Sequence, residues 1–179
     1  MTTERQALEL LEKYKLPENV VGHCKAVSKI AVEVAEKMNA RGTARVDVEK
    51  VRAVGLLHDI GRIRFLKETG RMETTEERHE EESRKILEKE GLPGLAGIIV
   101  KHGIQTVLHP SELNIYEKIL IYADASVIGD KRCSVDERYD YLVRKYGSNG
   151  NAEDVKLFAA LKRNWPKVEM VAREIEGLV

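Results

Sequence analysis

The chain has 179 residues, and its 30 Lys and Arg balance its 30 Asp and Glu, so the formal net charge is zero. No global basic field favours a nucleic-acid partner, and we expect none. The two cysteines form neither a CxxC motif nor a disulfide framework, and no apolar run approaches the ~18 residues of a membrane span. The composition therefore predicts a globular domain that we expect to be cytoplasmic and without membrane contact.

Hydrophobic residues recur at intervals of three and four along the chain, and no stretch alternates convincingly as a β-strand would. Caps and helix breakers bound eight predicted helices, at about 3–14, 17–40, 47–58, 74–90, 93–103, 113–128, 134–147 and 152–178. The predicted fold class is all-α, a single-domain helical bundle over residues 1–179. Its core is expected at about 18–130, with C-terminal helices at 134–178 packed on it.

Several local signals refine these helices. Thr74–Glu77 and Ser134–Glu137 match the capping box, in which a hydroxyl residue and a glutamate three positions later close the helix start. Trp165-Pro166 predicts a kink or break in the last helix, because proline lacks an amide hydrogen. Gly55 has no side chain and would let a neighbouring helix approach closely.

His58 and Asp59 lie side by side at the end of the third predicted helix, just before Gly61. Neighbouring residues diverge by ~100° on a regular helix, so one face cannot present both side chains to the same point. At a helix end the backbone leaves its regular path, and the two side chains can converge on one ion. This pair is the first candidate for metal binding.

Four more candidate ligands lie at regular intervals around this pair. They are His23, His79, His102 and Asp124, and the successive gaps from His23 through His58 are 35, 21, 23 and 22 residues. Each gap is about one helix and one turn, so each ligand could arrive on its own helix at a shared centre. Imidazoles with carboxylates and no thiolate are typical ligands of Mn, Fe, Co, Ni or Zn.

The tetrapeptide His58-Asp59-Ile60-Gly61 reads HDIG, with an earlier histidine and a later aspartate in the helix Ile121–Asp124. Over roughly residues 20–130 the chain resembles the HD superfamily of metal-dependent phosphohydrolases. The resemblance implies two divalent ions, one held by His23, His58, Asp59 and Asp124, the other by His79 and His102 with Asp59 bridging. Two such ions about 4 Å apart can share a hydroxide that attacks phosphorus.

Basic residues near the motif are candidates for contact with a substrate phosphate. Arg62 directly follows HDIG and is the catalytic candidate beside Asp59, because its planar guanidinium could neutralise developing charge. Arg64 and Lys101 are further candidates, as is Lys67. For Arg62 a solvated basic loop is an equally good explanation. The Lys131-Arg132 pair and His109 are weaker candidates and are better explained as exposed side chains.

Other residues are predicted to have structural roles or to face solvent. The acidic run at 80–82 is predicted to face solvent, with Glu82 as a possible partner that orients His79. Trp165 and Phe158 are predicted to attach the last helix to the body of the fold.

These observations predict a hydrolase acting on a nucleotide-like phosphomonoester or phosphoanhydride, as a monomer or homodimer. A small-molecule phosphate or nucleotide is the expected substrate, and the resemblance extends to the small dinuclear members of the superfamily. Two alternatives stay open: a di-iron oxygenase on the same ligands, and a non-catalytic nucleotide-sensing module. Iron content with O₂-dependent turnover would identify the first, and tight nucleotide binding without hydrolysis would identify the second.

Overall fold

Helices and one short hairpin make up the fold. The computed structural model describes residues 2–64, 78–105, 107–147 and 152–179. The eight α-helices of these residues are α1 Glu4–Lys13, α2 Glu18–Arg41, α3 Val48–Leu57, α4 His79–Lys89, α5 Pro93–Ile99, α6 Ile115–Asp124, α7 Val135–Gly147 and α8 Ala152–Leu178. A 3-10 turn covers Pro110–Glu112, and β1 Val127–Ile128 pairs antiparallel with β2 Lys131–Arg132. The predicted all-α class is confirmed.

Side-chain caps explain where several helices begin. The Thr3 hydroxyl accepts a hydrogen bond from the Gln6 amide, and the Asp47 carboxylate accepts one from the Lys50 amide. At the start of α7 the predicted capping box is present, because Ser134 Oγ accepts from the Glu137 amide while the Glu137 carboxylate accepts from the Ser134 amide. These bonds satisfy amide hydrogens that a helix start leaves without partners.

The close approach of α2 and α3 depends on Gly55. A Cβ atom at this position would lie 2.6 Å from Ser28 Cα on α2, which is backbone and cannot move aside. The neighbouring Ser28 hydroxyl donates to the Arg52 carbonyl at 3.0 Å and joins the same two helices. The predicted role of Gly55 is therefore confirmed, and it brings the end of α3 against the central helix α2.

Several predicted element boundaries were wrong, and one of them is the end of α5, which lies at Ile99 rather than near His102. The sixth helix ends at Asp124 rather than near Ile128, because the chain turns and residues 127–128 enter the hairpin. Helix α4 begins at His79, since Arg78 has an extended backbone, and the predicted capping box at 74–77 lies outside the described residues. Helix α8 continues through Pro166 without a break.

The C-terminal helices complete the hydrophobic core. Leu161, Trp165, Val171 and Ile175 of α8 are buried in the same apolar cluster as residues of α1 to α6. Helix α8 packs against both α6 and α7. None of the described helices is long and apolar enough to cross a membrane.

Candidate metal centre

The turn that follows α3 presents His58 and Asp59 to the interior. Gly61 ends this turn against α4, where a Cβ atom would lie 2.3 Å from the His79 carbonyl oxygen and 2.4 Å from the Ser83 amide nitrogen. The buried Ser83 hydroxyl accepts from the Gly61 amide at 2.9 Å and donates to the His58 carbonyl at 3.0 Å. The glycine of the HDIG sequence is therefore needed for contact with α4, which carries the next candidate ligand.

The two carboxylate oxygens of Asp59 face different histidines. Asp59 Oδ2 lies 3.5 Å from His58 Nε2 and 4.0 Å from His23 Nε2. Asp59 Oδ1 lies 3.1 Å from His79 Nε2 and 3.7 Å from His102 Nε2. One carboxylate thus separates two groups of imidazole nitrogens, which is the arrangement expected of a ligand shared by two ions.

Backbone carbonyls orient three of the four imidazoles. The Nδ1 atoms of His23, His58 and His102 lie 2.9, 2.8 and 2.6 Å from the carbonyl oxygens of Gly129, Gly55 and Ile99. A carbonyl only accepts, so Nδ1 carries the hydrogen in the neutral ring and Nε2 presents its lone pair to the centre. Metal-binding histidines are held in this way by outer partners.

Asp124 extends the centre from the end of α6. Its Oδ1 atom lies 3.0 Å from His23 Nε2 and 3.7 Å from a guanidinium nitrogen of Arg138 on α7. All six predicted ligands are therefore brought into one cluster, although they come from five separate parts of the chain. Their roles as ligands remain a prediction.

The described residues fit a divalent metal ion. One ligand atom from each of His23, His58 and Asp59 lies within 4.8 Å of the others, and the same holds for Asp59, His79 and His102. His58 Nε2 and Asp59 Oδ1 are buried without a hydrogen-bond partner. Buried polar atoms without partners are unfavourable, and coordination of a cation would satisfy both.

Burial and charge shift the protonation of the centre. Burial lowers the pKa of His58 to about 4, so this imidazole is neutral near pH 7. Burial opposes the charge of His102 as well, but its interaction with Asp59 and the charge of Glu80 raise its pKa to about 9. Without metal the His102 site therefore holds a proton, which a binding cation must displace.

The carboxylates of the centre are held ionised. Burial would raise the pKa of Asp59, but the Arg62 guanidinium and His58 hold it well below its usual range. Burial likewise disfavours the charged form of Asp124, while a hydrogen bond donated by Nε2 of the protonated His23 ring and the charge of Arg138 lower its pKa. Both groups are therefore available as anionic oxygen ligands.

A cavity with about 70 Å³ of space that water could occupy, partly open to solvent, lies beside the histidines. Arg62, His79, His102 and Asp124 form its polar end. Helices α6, α7 and α8 supply its apolar lining, which consists largely of Ile121, Leu142, Tyr146, Leu157, Trp165 and Val168. Arg138 also lines the cavity, so a second guanidinium faces the same space as Arg62.

Sequence reasoning missed Glu80 and Arg138. Glu80 was predicted to face solvent with its acidic neighbours, yet it is only 3% exposed, and its Oε2 lies 3.6 Å from His79 Nδ1. Its carboxylate fills the space at Gly103, where a Cβ atom would lie 1.4 Å from Glu80 Oε1. For Arg138 the capping box locates the start of α7 but does not say which face meets the cavity.

The predicted phosphate-binding residues have separate surroundings. Arg62 Nε lies 2.5 Å from Asp59 Oδ2, and Arg62 lines the cavity; its contact with phosphate stays a prediction. Arg64 pairs with Glu82 at 3.0 Å, so Glu82 has a partner other than the predicted His79. Lys67 lies outside the described residues.

Lys101 and His109 are engaged elsewhere. Lys101 Nζ lies 2.9 Å from the buried carboxylate of Glu117. Lys101 is not one of the described residues that line the cavity. The prediction that Lys101 contacts phosphate is therefore not supported by its position. His109 accepts a hydrogen bond from the Ser111 amide and caps the 3-10 turn. Arg132 pairs with Glu33 at 2.7 Å.

Comparison with known proteins agrees with the geometry. The HD domain family matches residues 20–127, and the chain belongs to this family. The chain is 36% identical to an uncharacterized protein of Methanocaldococcus jannaschii over 160 residues, which cover 80% of this chain and 86% of that protein. It is 33% identical over 165 residues, or 85% of its length, to a tRNA (cytidine(56)-2'-O)-methyltransferase of Thermoplasma volcanium. This second match spans only 44% of the methyltransferase. No solved structure is significantly similar to the chain.

Proposed function

We propose that this HD domain protein is a metal-dependent phosphohydrolase that acts on a small nucleotide-like phosphomonoester or phosphoanhydride. The observation that carries the proposal is the position of Asp59, whose two oxygens face His23 with His58 on one side and His79 with His102 on the other. A carboxylate so placed suits two cations. Two divalent ions there would lower the pKa of a water molecule and polarise a phosphoryl oxygen.

The protein's own residues support phosphate chemistry around that centre. Arg62 and Arg138 both line the cavity, and their guanidinium groups can each donate hydrogen bonds to a phosphate oxygen in place of a carboxylate oxygen. Since Arg62 is fixed at Asp59 and Arg138 near Asp124, both charges are held close to where negative charge would develop. Such pre-positioned charge stabilises a transition state more than flexible surface lysines would.

The reaction we infer is hydrolysis of a P–O bond. The oxygen of water is transferred to phosphorus, and the leaving oxygen takes up a proton. No described side chain needs to act as a covalent nucleophile. The choice among Mn, Fe, Co, Ni and Zn, and binding of two ions rather than one, are parts of the proposal.

The similarity to a tRNA methyltransferase does not lead us to propose methyl transfer. The match covers less than half of that enzyme, and the cluster in this chain has the chemistry of a cation site. We instead propose a small-molecule substrate. The zero formal net charge of the chain and the cavity beside the candidate ligands both support this choice.

The test is a hydrolase screen in which metal-free protein is reloaded with each of the five metals separately. Nucleotides, dinucleotides and simple phosphate esters are the substrates, and released phosphate or nucleotide is measured. We expect turnover with at least one metal and a loss of at least about 100-fold in Asp59→Ala, since a shared ligand should matter more than an outer partner.

Asp140→Ala is the matched control, because Asp140 is an exposed carboxylate on α7. Turnover that survives unchanged in Asp59→Ala would contradict the proposal. O₂-dependent turnover with iron would replace it by oxygenase chemistry, and tight nucleotide binding without hydrolysis under all five metals would replace it by a sensing role.

A further inference from the structure

Part of the cavity wall is formed by residues that the HD family match does not include. The match ends at residue 127. The cavity is also lined by later residues, namely Leu142 and Tyr146 of α7 and Leu157, Trp165 and Val168 of α8. These five side chains are all buried. The C-terminal helices therefore supply a set of buried, largely apolar side chains to the cavity wall.

One polar atom in this wall has no partner. Trp165 is only 4% exposed, and its indole Nε1 is buried without a hydrogen-bond acceptor among the described residues. The ring is held against Tyr139, with ring centroids 5.3 Å apart. Buried indole N–H groups usually have an acceptor, so a donor left free in the wall of a cavity points to a ligand that supplies one.

The loop opposite Trp165 is also held by α8. Asn164 Nδ2 donates to the Ile104 carbonyl at 2.9 Å, and Lys167 Nζ donates to the Val107 carbonyl at 3.0 Å. Ile104 lines the same cavity. Helix α8 thus contributes wall residues and also holds the backbone carbonyls of Ile104 and Val107.

We infer that the wall formed by α7 and α8 is the subsite for the organic group of the substrate, and that Trp165 is its specificity-determining residue. The group must be apolar on its faces and must carry an acceptor for the Trp165 N–H. A nucleobase has both properties, while its phosphate would face Arg62 and Arg138. This inference rests on the proposed function and specifies which part of the chain selects the substrate.

Trp165 is the single tryptophan of the chain, so its fluorescence reports on this subsite directly. Protein in Zn²⁺-containing buffer is titrated with adenosine 5'-monophosphate, uridine 5'-monophosphate, ribose 5-phosphate and inorganic phosphate. We expect at least one nucleotide to change the emission saturably and to bind at least about tenfold tighter than ribose 5-phosphate, the effect of one hydrogen bond with some apolar burial. Equal affinity of both nucleotides and ribose 5-phosphate, with unchanged emission, would overturn the inference.

Variants measured by calorimetry supply the second readout. Trp165→Phe keeps an aromatic ring but removes the N–H, and we expect about tenfold weaker nucleotide binding with inorganic phosphate affected less than twofold. Val168→Phe should fill the cavity and weaken the nucleotide similarly. Val155→Phe, the same change at a position 56% exposed on α8, is the matched control. Nucleotide affinity unchanged in both cavity variants would refute the subsite.

The two proposals can fail separately. Hydrolysis of simple phosphates with no preference for a base would overturn the subsite and leave the phosphohydrolase proposal in place. Base-dependent binding at Trp165 without any hydrolysis would support the subsite and contradict the phosphohydrolase.

Discussion

Ser83 of α4 joins the turn that carries His58 and Asp59 to the helix that carries the candidate ligand His79. Its hydroxyl accepts from the Gly61 amide and donates to the His58 carbonyl, and the side chain is fully buried. The hydroxyl coordinates nothing itself, yet it holds the backbone on both sides of Asp59. Positioning groups of this kind often affect metal affinity nearly as strongly as ligands do.

We predict that Ser83→Ala lowers stability by about 1–3 kcal/mol, because it leaves a buried amide and a buried carbonyl without partners. Metal affinity should also fall by roughly 10–100-fold. Chemical denaturation and calorimetric metal titration measure the two effects. Ser111→Ala, at an exposed position in the 3-10 turn, should change neither. Metal affinity equal to that of the unaltered protein would show that Ser83 does not position the site.

At the scale of elements, the contact of α2 with α3 determines where the metal-binding turn begins. Gly55→Ala would place a methyl group 2.6 Å from the Ser28 backbone, so the two helices must separate. We predict a loss of about 1–3 kcal/mol in the free energy of unfolding, measured by urea denaturation.

Gly97→Ala is the matched control for this contact. Gly97 lies within α5, and a Cβ atom there would meet nothing within 4 Å. Since alanine favours a helix over glycine, this variant should be neutral or more stable by up to about 1 kcal/mol. Equal behaviour of the two variants would mean that helix propensity, rather than close packing, decides the effect at Gly55.

A second pair of elements is joined at Glu90, just after α4. The Tyr14 hydroxyl donates to Glu90 at 2.7 Å, and Lys13 Nζ binds the same carboxylate. Burial and the bond with Glu90 raise the pKa of Tyr14 to about 12. Because the pKa of Tyr14 is raised in the folded state, the stability contributed by its bond with Glu90 is complete below about pH 10. This stability is lost as pH rises through about 12.

We predict that Tyr14→Phe lowers stability at pH 8 by about 0.5–1 kcal/mol, at the low end for a hydrogen bond because the contact is only partly buried. The variant should also lose less stability than the unaltered protein between pH 10 and 12. Thermal unfolding at each pH measures this. Tyr122→Phe on α6, which removes another half-buried hydroxyl, should retain the original pH dependence. If Tyr14→Phe and the unaltered protein lost the same stability between pH 10 and 12, the pH dependence would not be due to Tyr14.

At the scale of the whole molecule, the six candidate ligands bring α2, α4, α6 and the turns after α3 and α5 to one point. An ion that binds only the folded chain should therefore stabilise the whole fold. We predict that Zn²⁺ at about 100 times its dissociation constant adds about 2.7 kcal/mol and raises Tm by roughly 5–10 °C. Differential scanning calorimetry before and after chelation measures this shift.

Asp59→Asn should lose most of that stabilisation, and Asp140→Asn, at an exposed position of α7, should keep it. A Tm that does not respond to any of the five candidate metals would remove the cation site from the proposed function.

The sequence by itself determined the helical class, the order of the six candidate ligands and the local caps. Capping bonds at Thr3, Asp47 and Ser134 reach only three residues along the chain, so they can be read directly from the residue types. Gly55 was predictable for a similar reason, since an absent side chain constrains packing whichever helix approaches.

Only the tertiary structure decided which faces the remaining side chains turn inward. Glu80 is buried because Gly103 leaves space for its carboxylate, and Lys101 is turned to Glu117 on another helix. The hairpin forms where α6 stops, and its Gly129 carbonyl orients His23 more than 100 positions earlier in the chain. Contacts between elements distant in sequence depend on how the helices cross. Local periodicity does not encode that geometry, because each helix alone permits several neighbours.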